Sequence, residues 1–281
     1  MTTAHLSEIT TPHGATLALR DWPLPEGATP RALVLIVHGL GEHSGRYEAV
    51  AQQLHGWGFA VRAFDLCGHG LSSGAPGGLP DEHRLLDDLA TVLDHSRAAV
   101  APGLPVVLLG HSLGGLIAAR FVSLKLRAVD ALVLSSPALD AGLSAFQKLL
   151  VATLPKIAPN LRVGNGLDAN FLSHDAAVVA AYRADPLVHD RIGARLAHFI
   201  ATAGAQTLAL ASQWTVPTLL IYAGQDRLVN PAGSRAFATL APANVLTSQC
   251  FGDLYHEIFN ESDPAPVFAA LQEWLCARFA A

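Results

Sequence analysis

The segment Val106 to Leu116, VVLLGHSLGGL, constrains this chain more than any other stretch. Four aliphatic residues, Val106 to Leu109, read as a buried strand. Gly110-His111-Ser112-Leu113-Gly114 then turns the chain, and a helical apolar pattern follows from Gly115 through Ala118, Ala119, Phe121 and Val122. A five-residue G-x-S-x-G match alone is common by chance. Between a strand and a helix it becomes a nucleophile elbow, a turn so sharp that its flanking residues have no room for side chains. Such a turn forces Ser112 into a strained backbone conformation that lifts its hydroxyl clear of the sheet. It also sets the hydroxyl beside the first N–H groups of a helix, which lack intrahelical acceptors and suit a developing negative charge.

The flanking sequence reads as repeated β-α units. His5 to Thr11 and Ala15 to Trp22 straddle Pro12-His13-Gly14 as two antiparallel edge strands. Arg31 to Val37 (RALVLIV) is a continuous aliphatic run, expected of a strand covered on both faces. A helix follows with Val50, Leu54 and Trp57 on one face and Gly58 as its stop. Phe59 to Phe64 is the next strand, Glu82 to Ala99 a helix, and Ala131 to Leu134 a strand after the elbow unit. From Ala138 to about Trp214 the alternation stops, and the sequence reads as several helices with no strong strand. Strands Thr218 to Ala223 and Val245 to Phe251, with helices Pro231 to Leu240 and Pro264 to Phe279, complete the chain. This pattern predicts an α/β fold with a mostly parallel sheet flanked by helices. Its core would comprise residues 1–137 and 215–281, with 138–214 inserted over the carboxyl ends of the strands.

Composition narrows the function. Apolar residues are 51% of the 281 and charged ones 15%, so there is ample material for a large buried sheet. A net charge of −5 argues against nucleic acid or another polyanion as the partner. The three cysteines, Cys67, Cys250 and Cys276, are too few and too scattered for a disulfide framework or a zinc site, and read as small buried hydrophobes. The N-terminal MTTAHLSEIT has no secretory pattern, and no apolar run approaches the ~18 residues of a membrane span. A cytoplasmic protein is the expectation.

A serine hydroxyl needs a base to take its proton, and a histidine base needs a carboxylate to hold its tautomer. In this kind of sheet the chain order is Ser, acid, His. Asp226 follows a buried strand in Ala223-Gly224-Gln225-Asp226, and His256 follows the last strand in a loop long enough to reach across. Asp140 and Asp253 are rival acids, and His38, His43, His69 and His111 also lie in loops near the same edge. His111 precedes the nucleophile, so its side chain should point away from that of Ser112. The oxyanion donors are expected to be the N–H of Leu113 and that of Leu40, in the loop after RALVLIV. No metal or organic cofactor is needed.

Several segments together resemble the monoglyceride lipase branch of the α/β-hydrolases, also described as lysophospholipase-like or serine-aminopeptidase-like. They are HGLGEHSGRY (His38 to Tyr47), FDLCGHGLSSG (Phe64 to Gly74), GHSLGG (Gly110 to Gly115), AGQDRLVNPAGS (Ala223 to Ser234) and YHEIFNE (Tyr255 to Glu261). Leu172 to Ile192 is similar to the same branch's cap. The resemblance implies an α/β-hydrolase fold with an inserted helical cap and a Ser112–Asp226–His256 triad. It also implies oxyanion donors Leu40 and Leu113, and an ester of a monoacylglycerol-like single-chain lipid as substrate. Glu42 and Arg46 would lie near the polar head, or else form an ion pair bracing their loop. Gly74-Ala75-Pro76-Gly77-Gly78 departs from an arginine-containing turn common in relatives, and Phe259 stands where some carry a second polar group. Within the cap, Leu143, Phe146, Leu150 and Leu154 fall near one helical face. That face would line an acyl tunnel, make a weak membrane-surface contact, or simply pack on the core. Rival functions are a carboxylesterase or lysophospholipase of different head-group preference, and a non-catalytic binding protein on the same scaffold. Ser at 112 disfavours a hydrolase with a carboxylate nucleophile.

Overall fold

The computed structural model describes residues 4–142 and 145–280. In chain order the elements begin with β1 (His5–Thr10), β2 (Thr16–Trp22), β3 (Leu33–Val37), α1 (Glu48–Gly56), β4 (Ala60–Phe64) and α2 (Arg84–Ala98). There follow β5 (Val106–His111), α3 (Leu113–Ser123), β6 (Ala131–Ser135), α4 (Ala145–Ile157), β7 (Arg162–Gly164) and α5 (Ala176–Ala184). The chain ends with β8 (Arg191–Gly193), α6 (Ala194–Leu208), β9 (Thr218–Ala223), α7 (Ala232–Leu240), β10 (Leu246–Phe251) and α8 (Ala265–Arg278).

Eight strands form one sheet in the order β1-β2-β4-β3-β5-β6-β9-β10. β1 and β2 pair antiparallel, β2 is antiparallel to β4, and all remaining neighbours are parallel. Alternation along the central strands sorts their side chains into two layers. Leu35, Val37, Leu108, Leu132, Leu134 and Leu220 face a core completed by α2, α3, α6 and α7. Val34, Ile36, Val107, Leu109, Val133 and Ile221 face the other, completed by α1 and α8. Both faces of β3 and β5 are therefore buried, which is why their sequences are unbroken aliphatic runs.

Register places the functional loops. Val37 pairs with Gly110, Gly110 with Leu134, Ser135 with Ile221, and Ala223 with Phe251. The carboxyl ends of β3, β5, β6, β9 and β10 thus form one rim, and the residues immediately beyond it come together whatever their separation in sequence.

Two expectations need correction. The 138–214 region contains a short antiparallel pair, β7 with β8, joining Arg162, Val163 and Gly164 to Gly193, Ile192 and Arg191. At three residues each, these strands are too short to leave a period-two signal. Cys250 is exposed on the edge strand β10, and Cys276 is half-buried; only Cys67 is buried. Of the cap face read from sequence, Leu143 and the side chains of Phe146 and Leu150 lie outside the described residues, while Leu154 is half-buried. The 138–214 region is joined to earlier loops by backbone bonds, His189 N–H to Gly41 C=O at 2.9 Å and Gly193 N–H to Gly77 C=O at 2.8 Å. Its last helix, α6, buries Leu196, Phe199 and Ala203 in the same core cluster as α3.

Candidate active site

Ser112 sits between β5 and α3 with φ 54° and ψ −119°, a left-handed conformation that costs a non-glycine residue energy. The tightness of the turn enforces it. A Cβ at Gly114 would collide with the backbone carbonyl oxygens of Val37 and His38, so α3 can start this close to β3 only with glycine there. The same closeness brings the loop after β3 against the elbow: a Cβ at Gly39 would lie 3.2 Å from the Ser112 Cβ. Leu113 opens α3, so its N–H has no intrahelical acceptor. Neither it nor the Leu40 N–H donates a hydrogen bond among the described residues. Leu113 directly follows Ser112, and Leu40 directly follows Gly39 in the loop that lies against the elbow.

His256 lies five residues past β10, and its Nδ1 is 2.6 Å from Asp226 Oδ2. The other carboxylate oxygen of Asp226 accepts the N–H groups of Leu228 and Val229, both at 2.9 Å. Both side chains are buried, 5% exposed for His256 and 3% for Asp226. Burial alone would raise the Asp226 carboxyl, but His256 and the two backbone donors outweigh it and hold it below the usual range. Burial pulls the His256 imidazole down, and Asp226, with help from Glu257 and Glu42, more than offsets this, so its pKa is raised. Asp226 is positioned to keep the Nδ1–H tautomer and leave Nε2 as the basic nitrogen. Among the described residues the Ser112 hydroxyl has no hydrogen-bond partner.

Asp140 and the four rival histidines have other partners. Asp140 accepts from Asn230 Nδ2 at 2.7 Å and from the Gly142 N–H. His38 donates from Nδ1 to the Gly39 carbonyl and accepts the Leu66 N–H at Nε2, tying two loops together. His43 reaches Asp185 at 2.8 Å, and His69 contacts the Cys67 carbonyl. His111 has its Nδ1 3.1 Å from Ser135 Oγ, and its ring lies 4.7 Å from that of His256. Burial, then His256, pushes His111 down to about 4, so it packs on the candidate base as a neutral ring.

Glu42 and Arg46 form an ion pair at 2.6 Å, and Arg46 also binds Glu257 through Nη1 and Nη2. Phe259 is buried against Phe268. A cavity of about 430 Å³ opens between the 73–80 loop and residues 159–162. None of Ser112, Asp226 or His256 lines it, so its size says nothing about an acyl chain. Sequence reasoning missed the bond of Glu257 to Arg46 and the contact of His111 with His256. It also missed the support from residues 171 and 172, where the N–H groups of His256 and Glu257 donate to the Phe171 and Leu172 carbonyls.

The sheet order, the strained serine at a strand-to-helix elbow and the paired histidine and carboxylate on one rim define an α/β-hydrolase. Residues 28–263 match the serine aminopeptidase (S33) family, and the chain belongs to that family. It is 36% identical over 252 residues to a monoacylglycerol lipase of Mycolicibacterium smegmatis, covering 89% of each chain. It is 34% identical over 274 residues to a human monoglyceride lipase, covering 95% of this chain and 89% of that one. The crystal structure of a Paleococcus ferrophilus monoacylglycerol lipase superposes with a TM-score of 0.84 at 34% identity, covering 93% of this chain and 99% of that one. The protein is an ester hydrolase of the α/β-hydrolase superfamily.

Proposed function

We propose that the chain hydrolyses the carboxylic ester of monoacylglycerol-like single-chain lipids through an acyl-enzyme carried on Ser112. His256 takes the hydroxyl proton, and Ser112 Oγ attacks the ester carbonyl. The oxyanion is received by the Leu40 and Leu113 N–H groups, each donor of this kind being worth about 3 kcal/mol of barrier. His256 then gives its proton to the departing glycerol oxygen, and a water activated by the same imidazole releases the fatty acid. Asp226 keeps the ring in place and stabilises the imidazolium.

The observation that carries this reading is the 2.6 Å His256–Asp226 contact on the rim that also bears the strained Ser112. The lipid substrate rests on the relatives named above. Residues 138–214 serve in this reading as the cap over the rim. Ile157 (81% exposed), Leu161 (46%), Val163 (48%) and Leu167 (38%) give that cap an apolar surface suited to weak contact with a lipid layer. A fluorophosphonate should label the wild type at Ser112 and leave Ser112→Ala unlabelled and inactive. Turnover measured on monoacylglycerols beside nitrophenyl esters of rising chain length tests the substrate. Failure to cleave monoacylglycerol, with an optimum at the shortest esters, would leave a carboxylesterase.

A further inference from the structure

The Arg46 side chain is 10% exposed, yet it sits between two carboxylates that belong to different arms of the site. Its Nη1 lies 2.6 Å from Glu42 Oε2 and 2.6 Å from Glu257 Oε1, and its Nη2 lies 2.8 Å from Glu257 Oε2. Glu42 passes the connection on: its Oε1 accepts the Gly39 N–H at 2.6 Å and the Tyr47 hydroxyl at 2.7 Å. Gly39 directly precedes Leu40, and Glu257 directly follows His256. An unbroken line of charge-assisted hydrogen bonds therefore runs from the loop of the oxyanion donor to the loop of the base. The Asn260 side-chain amide holds Glu257 from the far side at 2.8 Å, and the Tyr182 ring covers the guanidinium face at 4.7 Å.

We infer that Arg46 and Glu257 tie the two arms of the site together. Glu257 is a positioning residue that holds the His256 loop at a set distance from the Leu40 loop. The cavity bordered by Glu42, Arg46, Tyr47, His111, Glu257 and Asn260 is about 10 Å³, space for one water. A planar guanidinium suits the role because it can meet one carboxylate with two parallel bonds while sharing an edge with a second. An ammonium at the same place would act as a point charge and set no plane. The cluster carries two negative charges against one positive and is buried, so it favours a positive charge on the ring beside it. The groups facing that ring are Asp226, Glu257, Glu42 and the neutral His111.

This inference rests on His256 acting as the base, so the test includes a variant that separates the two claims. Kinetics on a soluble short-chain nitrophenyl ester are compared for the full-length wild type, Glu257→Gln, Glu257→Asp, Arg46→Lys and Ser112→Ala. Glu257→Gln should lower kcat by about 10- to 100-fold, the scale of a displacement of roughly 1 Å at a reacting group, with KM little changed. Its acid limb in kcat/KM should move to lower pH, because a negative charge facing the ring is gone. Glu257→Asp should keep the position of that limb and recover part of kcat, and Arg46→Lys should lose kcat despite keeping its charge. A Glu257→Gln enzyme with wild-type kcat and an unmoved acid limb overturns the tie. Should Glu257→Gln fail to fold, wild-type kcat in both Glu257→Asp and Arg46→Lys overturns it equally. An active Ser112→Ala enzyme removes the catalytic reading and the tie together. An inactive one beside a normal Glu257→Gln removes the tie alone.

Discussion

At the scale of single residues the site is a problem of compensation. Burial works against charge on His256 and on Asp226 alike, and each survives as a useful partner only because the other is 2.6 Å away. The consequence for rate has a definite sign. The proposed base acts neutral, and its folded pKa is raised, so kcat/KM should fall as pH drops through a value above the ordinary histidine range near 6.5. A pH–rate profile on a soluble ester checks this, and an acid limb below 6 contradicts it. Asp226→Asn preserves shape but would donate where the carboxylate accepts, favouring the wrong tautomer. We expect kcat to fall by about four orders of magnitude, as the loss of the buried acid does in triads generally. Asp140→Asn should leave kcat near wild type, since Asp140 bonds Asn230 instead. His111 shows what local sequence leaves out: nothing local could say that a ring 145 positions later, His256, would pack on it.

At the scale of elements, the strand–elbow–helix unit works because a glycine lets α3 touch β3. Gly114→Ala would push a methyl group into the Val37 and His38 carbonyls, which are backbone and cannot swing aside. We expect a loss of roughly 1–3 kcal/mol or more in denaturant unfolding, together with lost activity, since relief requires Ser112 or Leu40 to move. Wild-type stability and activity in that variant would mean the elbow has slack that the geometry does not suggest. Elements of this kind were largely legible beforehand, because runs such as LVLIV and ALVLS leave a signal in consecutive residues. The exceptions are β7 and β8, whose pairing satisfies a few backbone groups of residues 162–193, and α6, whose apolar face completes a core built by residues far earlier in the chain.

At the scale of the whole molecule, residues 138–214 bond to earlier and later loops at several points, and Ile157, Leu161, Val163 and Leu167 among them are exposed. Among the described residues no helix is long and apolar enough to cross a membrane. Replacing Ile157, Leu161 and Val163 together by serine should reduce turnover of monoacylglycerol in vesicles or emulsions severalfold. Hydrolysis of a soluble nitrophenyl ester should be unchanged by the same replacement. Equal turnover of the dispersed substrate by both proteins would show that this surface plays no part in reaching lipid.

What residue order by itself determined was everything encoded within a turn or two: the elbow with its serine, the buried strands, and the strand ends after which Leu40, Asp226 and His256 fall. Hydrophobic periodicity and steric demand act between near neighbours, so they can be read along a line. What only the tertiary structure decided was which of those strand ends meet, which carboxylate faces His256, and that one arginine is shared by Glu42 and Glu257. The Arg46–Glu257 pair spans 211 positions, and parallel strand order alone makes it a contact. No local pattern records a meeting that depends on how the sheet is assembled.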